Sequence, residues 1–319
     1  MKYINLATND GGEIRVSRIA MGSTMKMEML TTKEKHSLYD YFIDHGGNCI
    51  DTARYYSSGK AELMVGEYLE SRKNRNQLII STKGGHPSDS FPQKNRLSRK
   101  EILGDLETSL KLLGTDYVDI YWIHKDDPDY PIEDLIETCN EIVRQGKARI
   151  IGCSNFQSER IAAAKDYADS NNMVSFSLSQ IQWSLASTED KYFAQFGSIV
   201  MTPERYDFYS ENNIGVFAFS SQAQGFFAKI AKKGLQSLPT HLIEQFGSEA
   251  NMLRLEKLKA FCEEKDCTVS AASLAYLINN KLPCVAIIGA RTEEMLSESL
   301  KAVDVAMTPD EADRMFAVE

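Results

Sequence analysis

Histidine is scarce, five in 319 residues, and no HExxH or Cys/His cluster gathers what there is. Neither a structural nor a catalytic metal is therefore expected. The six cysteines, Cys49, Cys139, Cys153, Cys262, Cys267 and Cys284, form no CxxC pair. Most lie in apolar or helical surroundings, where reduced, buried thiols are the expected state. No apolar run approaches the roughly 18 residues of a membrane span, and MKYINLATNDGG is too polar for a secretory leader. The expectation is a soluble, cytoplasmic protein. Positive charge is in deficit: 36 Lys and Arg face 45 Asp and Glu, a net charge of -9. That balance argues against a nucleic-acid or membrane partner. No linker rich in Pro, Gly or Ser divides the chain, so residues 1–319 read as one domain. Nothing in the sequence is a signature of a particular oligomeric state.

What is present is ample core material, 43% hydrophobic residues, in a repeating order. NLATNDGGEIRVSRI alternates around a DGG turn and predicts a β-hairpin. Eight β-type runs follow: RIAMG, NCIDTA, LIISTKG, VDIYWIH, ARIIGCS, FSLSQIQ, GVFAFSS and CVAIIGA. Amphipathic helical stretches separate them. In EILGDLETSLKLLG, apolar residues spaced i, i+3, i+4 and i+7 mark one buried face, with Ser98 as the start signal and Gly114 as the stop. The predicted fold class is α/β, a (β/α)8 TIM barrel with an N-terminal β-hairpin. A doubly wound open sheet is the alternative, but the GxGxxG turn it usually shows after its first strand is missing. The tract QAQGFFAKIAKKGLQSLPTHLIEQFGSEAN, after the seventh run, breaks the repeat and reads as a loop covering substrate or cofactor.

Polar residues stand where the barrel strands should end: Asp51, Lys83, His124, Ser154, Gln180 and Ser220, then Gly289. Most intervals are about one βα unit, so a barrel would collect them on its C-terminal rim. The stretch CIDTARYYSSGKAE ends a buried strand on Asp51, a costly residue to bury unless paired. Lys83, on the neighbouring strand, is the expected partner. Each residue also has an ordinary explanation: Asp51 as a turn cap, Lys83 as a snorkelling lysine, His124 as a satisfied core histidine. Their common register is what strengthens the functional reading.

DTARYY, STKGG, YWIHKDDP, GCSNF, SQIQWSL, FSSQAQGFF and IIGARTEEMLSESL, in this order, resemble the aldo-keto reductase superfamily nearly end to end. The resemblance implies catalytic roles for Asp51, Tyr56, Lys83 and His124, with Tyr56 rather than Tyr55 as the proton donor. Lys83, paired with Asp51, would favour the phenolate of Tyr56, and His124 would bind the carbonyl oxygen. It implies a nicotinamide cofactor, NADP(H) in preference to NAD(H). Ser154, Asn155 and Gln180 match contacts to the carboxamide, and Phe219 the residue stacked on the ring. Ser220, Gln222 and Ala223 match the pyrophosphate segment, Gly289 and Arg291 the adenosine-phosphate site, and Gly22 and Thr24 the lip of the first strand. Met295, Glu298 and Ser299 stand where an adenine-binding pattern is usual but differs here. Trp122, Met25, Phe91 and His86 are the expected lining of the substrate pocket.

The implied activity is reduction of aldehyde or ketone carbonyls to alcohols, with a small-molecule carbonyl substrate. Two other classes stay open: a cofactor-binding regulatory or sensor protein with little turnover, and a non-redox barrel enzyme using Lys83 as a Schiff-base amine. Intact Tyr56 and His124 speak against the first. The GCSN, Gln180 and GART set speaks against the second.

Overall fold

Alternation in the N-terminal stretch produces two antiparallel strands, β1 (Tyr3–Ala7) and β2 (Glu13–Ser17), paired from Tyr3 opposite Ser17 to Ala7 opposite Glu13. The computed structural model describes residues 1–23, 29–87 and 96–317. Eight parallel strands then close into a barrel: β3 (Ile19–Gly22), β4 (Cys49–Asp51), β5 (Ile79–Gly84), β6 (Val118–Ile123), β7 (Ala148–Ser154), β8 (Leu178–Gln182), β9 (Gly215–Phe219) and β10 (Cys284–Ile288). Pairing of β10 with both β9 and β3 completes the ring. All eight predicted runs are barrel strands, as the (β/α)8 reading requires.

Helices α1 (Thr32–Asp44), α2 (Lys60–Arg72), α3 (Arg99–Leu113), α4 (Ile132–Arg144), α5 (Ser158–Ser170) and α6 (Pro203–Glu211) link successive strands from β3 to β9. The predicted limits of α3 hold. Ser98 accepts the Glu101 N–H, and Gly114 takes the left-handed φ of 64° that ends the helix. Among the described residues no helix is long and apolar enough to cross a membrane.

The tract after β9 differs from the covering loop that was expected. It folds into α7 (Phe226–Lys233) and α8 (Thr240–Phe246) and ends in the first turn of α9 (Glu249–Lys265), which is followed by α10 (Val269–Ile278) before β10. Phe226, Phe227, Ile230, Leu238, Leu242 and Phe246 are all buried, so the tract has its own apolar faces to dock. Gly234 and Pro239 divide short helices and blur the periodicity that a single long helix would show. Helices α11 (Glu293–Leu300) and α12 (Pro309–Phe316) end the chain's described structure.

Two cores result. One lies between strands and helices. The other fills the barrel with inward-facing residues, among them Cys49, Ile79, Ile120, Trp122, Ile150, Leu178, Phe217 and Val285. Leu6, Ile14 and Val16 of the hairpin belong to this inner core and seal one end. The hairpin turn is tied there by Asn9, whose N–H donates to the Arg149 carbonyl at 2.8 Å and whose Oδ1 accepts from Ile151 N at 2.9 Å.

Trp122 is the largest fully buried side chain of the interior, and Gly152, its register partner on β7, makes room for it. A Cβ at Gly152 would lie 2.4 Å from Trp122 Cε3. Gly152→Ala is therefore expected to destabilise the fold by about 1–3 kcal/mol through overpacking. Urea unfolding of variant and parent checks it, with a matched control at Gly104, where a Cβ meets nothing within 4 Å.

Candidate active site

Strand pleating puts Asp51, Ser81, Lys83, Trp122 and Gln180 on the inward face, so residues from four strands meet inside one mouth. Asp51 ends β4 and is 2% exposed. Its Oδ2 accepts from Lys83 Nζ at 2.5 Å, and its Oδ1 accepts from Ser81 Oγ at 2.7 Å and Gln180 Nε2 at 3.1 Å. Lys83 Nζ also donates to the Thr52 carbonyl at 2.7 Å. Three donors thus satisfy a carboxylate that could not otherwise stay buried. The lysine is fully enclosed. Burial opposes its charge, but the Asp51 carboxylate and then the Tyr56 phenol outweigh burial and hold its pKa above the ordinary lysine value.

The chain leaves β4 through a short 3-10 turn, Tyr56–Gly59, in which Ser57 and Ser58 both have left-handed backbones, φ 52° and 54°. Two adjacent non-glycine residues there store strain, on the order of 1–3 kcal/mol each. The turn sets the half-buried Tyr56 ring over Lys83, with Nζ 4.7 Å from the ring centroid. Burial raises the phenol's pKa, and Lys83 only partly offsets it. Lys83 thus acts on the phenol in the expected direction, but burial is the larger effect. Tyr56 rests as a neutral acid whose conjugate base has a cation waiting beside it.

His124 follows β6, 7% exposed, with its ring edge-on to Tyr56 at 5.7 Å between centroids. Burial, then the charges of Lys83, His86 and Lys125, hold it well below the usual histidine pKa, so the imidazole is neutral. Among the described residues its buried Nδ1 has no hydrogen-bond partner. A buried nitrogen of that kind costs less as a lone pair than as an N–H, which leaves the donor at Nε2. His86 lies 4.8 Å from the His124 ring and stacks on Tyr55 at 3.7 Å.

Trp122, expected to line a substrate pocket, does not. It is fully buried below the mouth, and its Nε1 donates to Ser81 Oγ at 2.7 Å. Strand parity accounts for this: the residue two before His124 points into the barrel one layer deeper. Thr24, Met25 and Phe91 lie outside the described residues.

A second group adjoins the first. Ser154 ends β7 and donates through Oγ to the Gln180 carbonyl at 2.9 Å, while Asn155 Nδ2 donates to Ser154 Oγ at 2.9 Å. Asn155 has a left-handed φ of 63°, and its Oδ1 accepts from Ile199 N at 3.2 Å. Gln180 belongs to both groups because its side chain reaches Asp51. Phe219 is half-buried at the end of β9, and Gly22 is buried at the end of β3 in register with Asp51.

The Aldo/keto reductase family model matches residues 18–319. The chain belongs to this family. It is 28% identical to a probable voltage-gated potassium channel subunit beta from Arabidopsis thaliana, over all of this chain and 96% of the relative. It is 26% identical to a probable aryl-alcohol dehydrogenase from Saccharomyces cerevisiae, over 92% of this chain and 89% of the relative. It is 25% identical to a norsolorinic acid reductase from Aspergillus flavus, over 86% of this chain and 69% of the relative.

The residues beyond β9 and β10 follow the mouth in sequence and are joined by hydrogen bonds around Gln222. Ser220 is exposed at φ 50°, and Ala223 is buried at φ 46° and can offer only backbone to a ligand. Gln222 Nε2 donates to Ser270 Oγ at 3.3 Å, and its Oε1 accepts from Ser299 Oγ at 3.4 Å. Gly289, Arg291 and Met295 are exposed near the start of α11, whose N-cap is Thr292. Glu298 pairs with Lys301 at 2.8 Å and accepts from Thr268. Among the described residues no ion pair holds Arg291, so the neighbouring glutamates leave its charge free. The set fits a dinucleotide: amide and hydroxyl groups at Ser154, Asn155 and Gln180, an apolar ring at Phe219, and an unpaired guanidinium beside an open helix start.

Sequence reading missed Ser81 and Lys125. The adjacency of Ser81 to STKGG was visible, but its bonds to Asp51 and Trp122 cross strands. Lys125 is 8% exposed, and its Nζ donates to the carbonyls of Phe196 and Gly197 (2.9 Å for the latter) and to Ser198 Oγ at 2.8 Å. It fastens the loop after β8 beside Asn155. Among the described residues no carboxylate pairs with it, and burial lowers its pKa to about 8 from 10.5. An unfolded chain keeps that proton between pH 8 and 10.5, so the penalty of burying the charge is full below 8 and fades as pH rises to 10.5. Relative to Lys125→Met, the parent should gain stability across that window, by roughly 3 kcal/mol at most. Urea midpoints of both proteins at pH 7, 9 and 10 measure the difference; a gap independent of pH would refute it.

Proposed function

We propose that this protein is an oxidoreductase that reduces aldehyde or ketone carbonyls to alcohols with NADP(H). The observation that carries the reading is a neutral Tyr56 phenol set over the buried Lys83–Asp51 pair, with a neutral His124 at its edge. The bound reduced nicotinamide would supply a hydride to the carbonyl carbon. Tyr56 would give its proton to the carbonyl oxygen, and the Lys83 ammonium would stabilise the phenolate left behind. Asp51 keeps that ammonium in place. His124, as a neutral N–H donor, would orient the carbonyl and stabilise charge on its oxygen in the transition state. Ser154, Asn155 and Gln180 would hold the carboxamide, Phe219 would face the ring, and Arg291 would take the 2′-phosphate. The aryl-alcohol dehydrogenase and norsolorinic acid reductase relatives support the oxidoreductase class.

The potassium channel subunit relative, similar over the whole chain, favours a second reading: a cofactor-binding protein with little turnover. NADPH oxidation with a panel of carbonyls separates the two, since the second gives binding without steady-state consumption.

Tyr56→Phe should lower carbonyl reduction by roughly 10²–10⁴-fold while cofactor still binds, and Tyr55→Phe should not. Lys83→Met should match it, with the double variant scarcely worse, because groups acting as one proton-transfer unit are non-additive. Multiplicative losses in steady-state rates would show independent roles.

Arg291→Ala should weaken NADPH binding by about 1.5–3 kcal/mol, the worth of hydrogen bonds to a charged group, and leave NADH unchanged. Fluorescence titration of both cofactors into both proteins checks it. Equal losses for the two would remove Arg291 as the phosphate anchor.

A further inference from the structure

Helix α9 ends in a left-handed turn that places two thiols together. Asp266 has φ 49°, and the N–H groups of Asp266 and Cys267 both donate to the Cys262 carbonyl, the second at 3.1 Å. In this type of helix ending, the residue just past the left-handed position packs on the one five before it, ordinarily as an apolar contact. Here both are cysteines. A direct backbone hydrogen bond holds their α-carbons within the span a disulfide bridges, roughly 4.4–6.8 Å. Both are reduced; Cys262 is buried in the outer core and Cys267 is partly exposed against it. The other four cysteines are buried on β4, α4, β7 and β10.

The pair adjoins the residues hydrogen-bonded around Gln222. Cys267 precedes Thr268, the N-cap of α10, whose hydroxyl accepts from Ala271 N at 3.1 Å and donates to Glu298. Two residues on, Ser270 accepts from Gln222, which in turn accepts from Ser299. A pull on residue 267 therefore reaches Glu298 and Gln222 through one hydrogen bond each and Ser299 through a second.

We propose that Cys262 and Cys267 form a reversible disulfide site whose oxidation weakens binding of the cofactor's adenosine end. The binding effect rests on the NADP(H) reading above; the disulfide does not. The oxidant is a low-molecular-weight disulfide. The Cys267 thiol loses its proton, attacks that disulfide and expels one thiolate. The Cys262 thiolate then displaces the second, leaving one protein S–S bond and two reduced small thiols. Burial, and then the Cys267 sulfur, push the Cys262 thiol up to about 12, and burial also raises Cys267. The pair therefore rests protonated and answers sustained exposure to oxidant, unlike a fast catalytic dithiol.

The test incubates the full chain with oxidised glutathione, maps disulfides by peptide mass spectrometry, and titrates NADPH into reduced, oxidised and dithiothreitol-rescued protein. We expect a Cys262–Cys267 link and NADPH affinity lower by roughly three- to tenfold, the worth of about one hydrogen bond, restored by reduction. Cys267→Ser should bind NADPH like the reduced parent and lose the response to oxidant. A link between other cysteines, or none, overturns the site. A Cys262–Cys267 link with unchanged affinity overturns the coupling and leaves the functional reading standing. Reduced protein that binds neither NADPH nor NADH overturns the functional reading, while the peptide map still decides the disulfide.

Discussion

The ion pair between Asp51 and Lys83 is the constraint on which the mouth of the barrel depends. Neither group can be removed from water alone: an isolated buried charge costs several kcal/mol, and the mutual attraction repays it only when every remaining lone pair and proton is also engaged. Here they are. Ser81 and Gln180 complete the carboxylate and the Thr52 carbonyl adds to the ammonium's partners. Ser81 is itself aimed by the Trp122 indole, and Trp122 is seated by the absence of a side chain at Gly152. The pair is therefore held from below by a column of interior packing, with hydrogen bonds reaching it from β5 and β8.

That arrangement separates two jobs that a lone lysine could not combine. A charged Lys83 gives the mouth a fixed cation; burial opposes its pull on the Tyr56 phenol, while burial and the Lys83 charge together keep His124 neutral. A neutral phenol can give a proton, and a neutral imidazole can donate a hydrogen bond without bringing a second positive charge. The strained turn at Ser57 and Ser58 is the local cost of presenting the phenol over the cation. Gln180 joins this centre to Ser154, so the two polar groups form one network across β4, β7 and β8.

The residues beyond β9 and β10 are held differently. Their contacts are long-range: Gln222 to Ser270 and Ser299 and Thr268 to Glu298, with Arg291 in no ion pair among the described residues. Ser270 comes to them from α10, and α7 to α10 dock their apolar faces on the outer core. The mouth is thus fixed by buried charge, and these residues by helix placement.

The sequence by itself determined the strand count, the hairpin, the limits of α3 and the strand-end register of Asp51, Lys83, His124, Ser154 and Gln180. Period-two alternation and helix caps are local signals, and a closed barrel turns regular spacing into a common rim. The pairing of Asp51 with Lys83 was legible for the same reason, since the two strands are consecutive. What only the tertiary structure decided was depth and direction. Trp122 lies below the mouth because its layer in the barrel depends on register around the whole ring. The balance at Tyr56 was decided there too, because burial raises the phenol's pKa more than the Lys83 charge lowers it. Helices α7 and α8 formed where a loop was expected because their short apolar faces gain stability only against a core that other parts of the chain supply.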